Sequence, residues 1–565
     1  MICFDEKSAT FTLTSKGAVY SMGVTDGVLE HRYFGAPIHC DDDLSLFRGE
    51  AAASFEARLP GTVSQNQILS EAPAYGRGDF REPMLVFRGE AGETTVDLKY
   101  AGHRIVSDHE LDGMPSCRGK ETLAVTLSDP VRGVSVELFY TVFDDVPAIA
   151  RSARITNTGK GKLKIVRAYS AALDLPDNGY DLITLYGAWT RERMPERTPV
   201  RHGVTSVDAK RVSSSAAQNP FAALVEKNAT ETAGRAYGMA LVYSSSWKIS
   251  CEGAQNGTVR LLGGINDFAF SKTLAPGETF DTPEAVFAFS SDGIGGLSRA
   301  FHDLVREHIA PPAFAKTPRP IVVNNWEATY FDFDYGRLFS IIDAAEGTGI
   351  DTFVLDDGWF GARNDDSAGL GDWTVNLNKL PEGLTPIIER CHARGLKFGL
   401  WFEPEMVNPN SDLYRAHPDW AISCPGYEPL LSRRQLVLDI TRPEVRDHIA
   451  GLVREWQFTD WETMFAAVKD GKIVGMASLL KTDYYPLPDI FPWVSCVFVE
   501  TPYRGQKISG KLIDAANAYA KEQGFTKTYI PTEYTGLYER YGYTYVKDIV
   551  NYGGGADRLY VKDLS

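Results

Sequence analysis

The chain has 565 residues, 44% hydrophobic and 23% charged, with a formal net charge of −16. That length accommodates several domains with cores of their own, and the acidic balance excludes a nucleic-acid binder, whose footprint would be a basic patch. No apolar run is long enough to span a membrane.

The amino-terminal Met-Ile-Cys-Phe-Asp-Glu-Lys lacks the apolar core of a signal peptide. Seven cysteines (Cys3, Cys40, Cys117, Cys251, Cys391, Cys424 and Cys496) are dispersed and odd in number. That usage suits reduced thiols in a cytoplasmic protein rather than a disulfide framework. Neither Cys-x-x-Cys nor His-Glu-x-x-His occurs, so no metal site is expected.

Residues 1–310 read as a β-sandwich domain. Val134–Val142 alternates with period two, as a strand with one buried face does, and Leu123–Leu127, Ile149–Thr156 and Met239–Tyr243 are similar. Asn157-Thr-Gly159, Pro176-Asp-Asn-Gly179 and Pro276-Gly277 punctuate them as turns. Gly76-Arg-Gly-Asp-Phe-Arg81 reads as a loop, with contact to a ligand or a neighbouring subunit as the alternative. Self-association through this domain is the accompanying expectation. Leu297, Phe301, Leu304, Val305 and His308 share a helical face, which predicts a helix over 293–309. Pro311-Pro312 stops it, and Pro318 and Pro320 keep the next segment extended.

From Ile321 the pattern becomes βα. Strands are predicted over Ile321–Trp326, Thr352–Asp357 and Lys397–Phe402, with helices over Tyr335–Ala345 and Leu384–Arg394. Such alternation means a parallel sheet with right-handed crossovers. Each strand ends in Trp together with acid: Trp326-Glu327, Asp356-Asp357 with Trp359, and Trp401-Phe-Glu-Pro-Glu405. Strand C-termini are where such folds keep chemistry. For Asp356-Asp357-Gly358 alone, a plain strand-ending turn is the competing reading. Aromatic faces beside carboxylates suit a sugar: a platform for the ring's C–H face and acceptors for its hydroxyls. Thr441 and Pro443 then start a helix with Val445, Ile449, Leu452, Val453 and Trp456 on its buried stripe.

These phrases carry a resemblance. Asn325-Trp-Glu327, Leu355-Asp-Asp-Gly-Trp359 and Gly399-Leu-Trp-Phe-Glu-Pro-Glu-Met-Val407 stand in the order found in the glycoside hydrolase family 36 α-galactosidases. Residues 1 to about 455 resemble that family. The resemblance implies that Trp326, Asp356, Asp357, Trp401 and Arg433 line a galactose pocket. It implies retaining hydrolysis of terminal α-galactosides, which needs one carboxylate to attack and a second to protonate the leaving oxygen. The family's nucleophile follows Lys-Trp on the next strand. This chain reads Phe458-Thr-Asp-Trp-Glu-Thr-Met there, and neither Asp460 nor Asp470 sits in a matching phrase. The expectation is therefore a truncated (β/α) TIM-type barrel over 319–456, with about three of roughly eight βα units, no glycosidase nucleophile and no acid/base residue.

The remaining residues, 457–565, change character again. Thr463–Val468 and Ile473–Leu480 read as a hairpin turning at Asp470-Gly471, and Trp493–Glu500 as a strand. Tyr503-Arg-Gly-Gln-Lys-Ile-Ser-Gly510 then opens a helix predicted to bury Ile508, Leu512, Ala515, Ala516 and Tyr519. A loop running into a helix start offers unpaired N–H groups and a dipole to an anion. With Leu537-Tyr-Glu-Arg-Tyr-Gly-Tyr543 as closing helix, this stretch resembles the α/β GNAT acetyltransferases, without their first strand and two helices. The resemblance implies acetyl-CoA as cofactor, held by Val497, Val499, Arg504, Gly505, Gln506, Lys507, Ile508, Ser509 and Gly510, with Tyr538 as general acid. That family has glycine where Lys507 and Ser509 stand. Gly553-Gly-Gly555 reads as a loop. Three functions follow: an impaired α-galactosidase, an acetyl-CoA-dependent N-acyltransferase, or a non-catalytic galactoside-binding fusion.

Overall fold

The computed structural model describes residues 1–38, 48–49, 51, 53–107, 109–214, 216–455, 461–469, 471–485, 487, 490–551 and 555–564. Cys40, Trp456, Phe458, Asp460, Asp470, Gly553 and Gly554, which figured in the sequence reading, lie outside them. Two compact units are present, Met1–Arg319 and Pro320–Ser565.

The first unit is built from antiparallel sheets. Ile2–Asp5, Thr10–Ser15, Ala18–Thr25 and Val28–Gly35 form a four-stranded meander, beside a six-stranded and a ten-stranded sheet. Val134–Val142 is a strand as its alternation predicts, paired with Glu121–Asp129 and Ala148–Asn157. Its inner residues Val134, Val136, Leu138 and Tyr140 enter one continuous apolar core with side chains from all three sheets. Within that core sits a buried carboxylate, Glu71. Tyr20 and Tyr140 donate to it at 2.7 and 2.8 Å, His31 Nδ1 lies at 2.7 Å and Arg151 at 3.0 Å. Burial opposes its charge, yet Arg151 and the donors hold Glu71 below the usual carboxylate range.

The helix expected over 293–309 divides in two. Gly293–Leu304 is α-helical and buries Leu297, Ala300 and Leu304; Val305–Ile309 is a wider π turn. The extra residue in that turn rotates the face, which leaves Val305 48% exposed instead of packed. The turn is held by residue 118. Arg118 donates through Nη2 to the Ala310 carbonyl at 2.6 Å and through Nη1 to that of Ile309 at 3.3 Å. The Arg118 carbonyl in turn lies 2.7 Å from His308 Nδ1.

In the second unit, Val322–Asn324, Thr352–Leu355 and Lys397–Leu400 form a parallel sheet in chain order. The truncated barrel expected here is thus three parallel strands, and the described residues do not close a barrel. All three strands are shorter than expected at their C-terminal ends. Trp326 in particular is not in a strand but opens the one-turn helix Trp326–Thr329, because the Asn324 side chain accepts the Trp326 N–H at 3.1 Å and turns the chain. The helices Tyr335–Ala345 and Thr385–Ala393 pack Leu338, Ile342, Ile387 and Cys391 against the sheet residues Phe353 and Leu355. On the helix Pro443–Glu455, Val445 is fully buried but Val453 is 38% exposed, so the predicted stripe is covered only over its first part.

A six-stranded sheet follows, ordered Thr463–Lys469, Lys472–Leu480, Trp493–Val499, Lys527–Thr532, Ala556–Asp563, Thr544–Val550. Its helix, Ile508–Glu522, buries Leu512, Ile513, Ala516, Asn517 and Ala520. The predicted face was rotated: Ala515 is exposed, because it falls on the side turned away from the sheet. The closing helix expected over Leu537–Tyr543 is a single 3-10 turn, Tyr538–Tyr541, ended by Gly542 at φ 84°.

Candidate functional sites

The strand ends of the parallel sheet assemble a polar cluster. Asp356 follows the Thr352–Leu355 strand, and its N–H donates to Asn325 Oδ1 at 2.8 Å. Its carboxylate accepts from Asn324 Nδ2 and from the N–H of Asp357, both at 2.8 Å. Burial raises the Asp356 pKa, with the neighbouring Asp357 charge adding to the rise and Arg433 opposing it. Glu403, at the end of the next strand, is raised likewise by burial and by Glu405.

Asp357 is buried and tied inward. Arg363 Nε and Nη2 grip its two oxygens at 2.9 Å each. Arg363 is itself fully buried and also donates to the Ala368 carbonyl and to Asn408 Oδ1. Arg433 approaches the same carboxylate at 3.6 Å and stands 6.0 Å above the Trp326 ring. It does so from a left-handed backbone at both Arg433 and Arg434, φ 52° and 58°, a conformation that L side chains adopt at a cost of about 1–2 kcal/mol each. Trp401 enters from the third strand: its N–H donates to the Leu355 carbonyl, and its own carbonyl accepts Trp359 Nε1 at 2.9 Å. Four of the five sequence-predicted residues thus stand at adjoining strand ends, and the fifth, Arg433 in the turn at 432–435, links Trp326 to Asp357. Arg363, Asn408 and Lys379 were missed. Lys379 donates to the carbonyls of Phe331, Gly358 and Arg363, each at 2.9 Å, and burial lowers its pKa. It fixes the turn after Asp357, and no motif marks it.

In the carboxy-terminal sheet, Trp493–Val499 pairs along its length with Lys472–Leu480 but meets Lys527–Thr532 in register only at Trp493↔Tyr529. The two parallel strands therefore part beyond Trp493, and among the described residues the Val497 and Val499 stretch has no partner strand on that side. A bulge sharpens the parting: the register slips between Met476 and Ser478, opposite Cys496 at φ 52°. No glycine announces that bulge. The loop before the helix alternates the sign of φ, with Gly505 at 79° and Lys507 at 59°, the backbone form in which successive N–H groups converge on an anion. Gly510 is required by close packing, since a Cβ there would lie 2.9 Å from the Tyr541 ring. Ser509 Oγ lies 3.1 Å from Tyr541 OH. Tyr538 is half-buried, and burial raises its pKa. An open strand edge beside such a loop offers peptide groups to an extended chain and N–H donors to an anion. Among the described residues no His, Cys, Asp and Glu side chains cluster as a metal site, and no helix is long and apolar enough to cross a membrane.

The chain is thus of multidomain class: antiparallel sheets, then parallel strands that carry acids and tryptophans at their C-terminal ends, then a six-stranded sheet with its helix. Residues 27–275 match the glycosyl hydrolase family 36 N-terminal domain, residues 279–458 the melibiase family, and residues 460–545 the acetyltransferase (GNAT) domain. Alpha-galactosidase AgaA of Geobacillus stearothermophilus is 43% identical over 457 residues, 79% of this chain and 63% of the relative. A probable alpha-galactosidase C of Aspergillus flavus is 37% identical, covering 86% of this chain and 68% of its own. The solved galactosidase domain of AgaSK superposes with a TM-score of 0.78 at 39% identity, over 81% of this chain and 66% of that one. The chain belongs to glycoside hydrolase family 36 over its first four-fifths, and a GNAT domain follows. It spans roughly half to two-thirds of the length of the curated relatives it matches.

Proposed function

We propose that the family 36 region is a galactoside-recognition site of α-galactosidase type whose hydrolytic step is impaired. The observation that carries this reading is the cluster of Trp326, Asp356, Asp357 and Trp401 at the ends of three parallel strands, with Arg433 against Trp326 and Asp357. An aromatic face, two carboxylates and a guanidinium offer a platform and hydrogen-bond partners for a terminal α-galactosyl group. Retaining hydrolysis needs an attacking carboxylate and an acid roughly 5–5.5 Å apart. Asp356 is engaged by Asn324 and Asp357 by Arg363, which supports a part in holding the sugar rather than in attack. Calorimetric titration of the full chain with raffinose or galactose is expected to show weak binding that Asp356→Ala abolishes. A nitrophenyl α-galactoside is expected to release no nitrophenol above background. Turnover at an ordinary glycosidase rate, lost in Asp357→Ala, would overturn the impairment.

A second reading, acetyl-CoA-dependent N-acyl transfer, is favoured by the parted strands and the loop before Ile508–Glu522. In it the Arg504–Gly510 amides hold the pyrophosphate, Val497 and Val499 pair with the pantetheine amides, and Lys507 adds a positive charge. Acetyl-CoA supplies the activated acyl group. Tyr538 holds the proton that the leaving sulfur takes. CoA binding to the full chain is expected to weaken with salt and to disappear in Ser509→Pro, which removes an N–H from the cradle. Tyr538→Phe keeps binding and loses transfer. No binding at millimolar CoA would sink this reading. The cytoplasm as location, and self-association through the sandwich, complete the proposal.

A further inference from the structure

We infer that a cavity in the first unit, bordered by the Gly76–Arg81 loop, binds a small sugar that carries a phosphate or carboxylate group. All of its residues belong to that unit, so the inference is independent of the strand-end cluster and of the acetyl-CoA reading. The cavity measures about 610 Å³, within the range of small-molecule sites. The turn at Asp26, the irregular stretch 57–80 and residues Thr94, Thr95 and Lys99 border it.

The charge on its walls is unbalanced. Arg58, Arg77 and Lys99 all line it, in a chain whose net charge is −16. Two carboxylates line it as well, and both are already engaged. Asp26 accepts the Val63 N–H at 2.9 Å, and Asp79 is buried between Arg81 and Arg260. Asp97, outside the lining, is shared by Arg77 and Lys99 at 3.3 and 3.4 Å, longer than the roughly 2.7–2.9 Å of a closed charge-assisted bond. Among the described residues neither Arg58 nor Arg77 makes a side-chain hydrogen bond. Arg77 is held at the lip by its neighbours. Gly76 and Gly78 stand at φ 113° and 101°, and a Cβ on Gly76 would lie 2.7 Å from Thr95 Cα, so glycine lets the loop lie flat on Thr95.

The ligand class follows from these groups. Guanidinium forks with unspent donors match the paired oxygens of a phosphate or carboxylate. The side chains of Gln65, Tyr75 and Thr94 also line the cavity and lack partners among the described residues. They can each donate to or accept from a hydroxyl. Tyr75 and Phe80 are 49% and 79% exposed, rings on which the C–H face of a sugar can rest, and Val28 and Ile68 add apolar wall. A neutral sugar leaves the cations unmatched, and inorganic phosphate leaves the rings unused. An anionic monosaccharide uses both.

The test is calorimetric titration of the full chain with glucose 6-phosphate and with glucuronate, with glucose and inorganic phosphate as separate arms. Binding of at least one anionic sugar is expected, and the tighter of the two tells phosphate from carboxylate. Arg77→Met and Arg58→Met are each expected to weaken it at least tenfold, and Tyr75→Ala at least fivefold. Added salt should weaken it too, since charge attraction at a partly open site is screened. Asp356→Ala should leave it unchanged. Arg58 is exposed and has no hydrogen bond to lose, so an unaltered thermal midpoint in its variant separates loss of ligand from loss of fold. The inference is overturned if neither anionic sugar binds the folded chain at millimolar concentration, or if binding survives both arginine variants. Glucose binding as tightly removes the role of the cations, and phosphate binding as tightly leaves an adventitious anion only. Loss of binding in Asp356→Ala also overturns it, by placing the sugar at the strand-end cluster. So does an oligomer on gel filtration that Arg77→Met breaks while no sugar binds, which makes a second copy the occupant.

Discussion

Replacing Arg363 by Met tests how the acid pair is held. The guanidinium makes two 2.9 Å bonds to Asp357 and further bonds to the Ala368 carbonyl and Asn408. Methionine keeps most of the apolar stem but orphans Asp357, whose side chain is 3% exposed and whose next cation, Arg433, is 3.6 Å away and half in solvent. Removing one partner of a buried pair costs about 3–5 kcal/mol, chiefly through the charge left behind. For a unit of this size that lowers the midpoint of thermal unfolding by roughly 6–20 °C. Trp359, Trp373 and Trp401 lie within 6.2 Å of one another or of Phe360 in the same core, so tryptophan fluorescence follows this region. The double variant Arg363→Met/Asp357→Leu should recover most of the loss, because removing both charges leaves nothing unpaired. A single variant within about 1 kcal/mol of the parent, or a double no better than the single, would refute the orphaned-charge account.

Three further outcomes are expected. Burial raises the Glu284 pKa from 4.5 to about 7, with the Cys117 N–H opposing the rise. The unfolded carboxyl ionises first, so sandwich stability falls between pH 4.5 and 7 by on the order of 3 kcal/mol; Glu284→Gln should flatten that slope, and an unchanged slope in denaturant titrations would count against it. Lys507→Gly relieves a left-handed residue at about 1–2 kcal/mol but adds unfolded-state freedom worth about 0.4–1 kcal/mol. The net is a modest gain, read from hydrogen exchange at the start of the Ile508–Glu522 helix, and a loss would contradict it. Limited proteolysis should cut the exposed segments around Leu430 while sparing 1–310, whereas uniform resistance across 320–455 would show that the open sheet is covered.

Where local chemistry decides structure, the sequence was readable. Val134–Val142 alternates because one face of it is core, and Phe353–Leu355 is a short apolar run that forms the central strand of a parallel sheet and buries Phe353 and Leu355. The candidate residues on strand ends were legible for the same reason: Trp and acid at a strand terminus is a local pattern. What stayed hidden was decided at a distance or by backbone strain. Arg363 and Asn408 are ordinary polar residues until the fold brings them 3.0 Å apart. The π turn at Val305–Ile309, the bulge at Cys496 and the left-handed Lys507 carry none of the glycines by which such departures are usually announced. The helix face mispredicted at Ala515 shows the reverse case, since alanine fits either side and only packing chooses.

The clasp between Arg118 and the end of the 293–309 segment bears on where this chain can be cut and rejoined. All of its atoms belong to the first unit, and they seize the last carbonyls before Pro311. Whatever is spliced downstream, the sandwich already owns the helix that seals its Leu297 and Leu304 face. A gene rearrangement or an engineered fusion that cuts after Ala310 moves a finished module. One that cuts at Ser290 moves the same sheets with an apolar flank stripped of its cover.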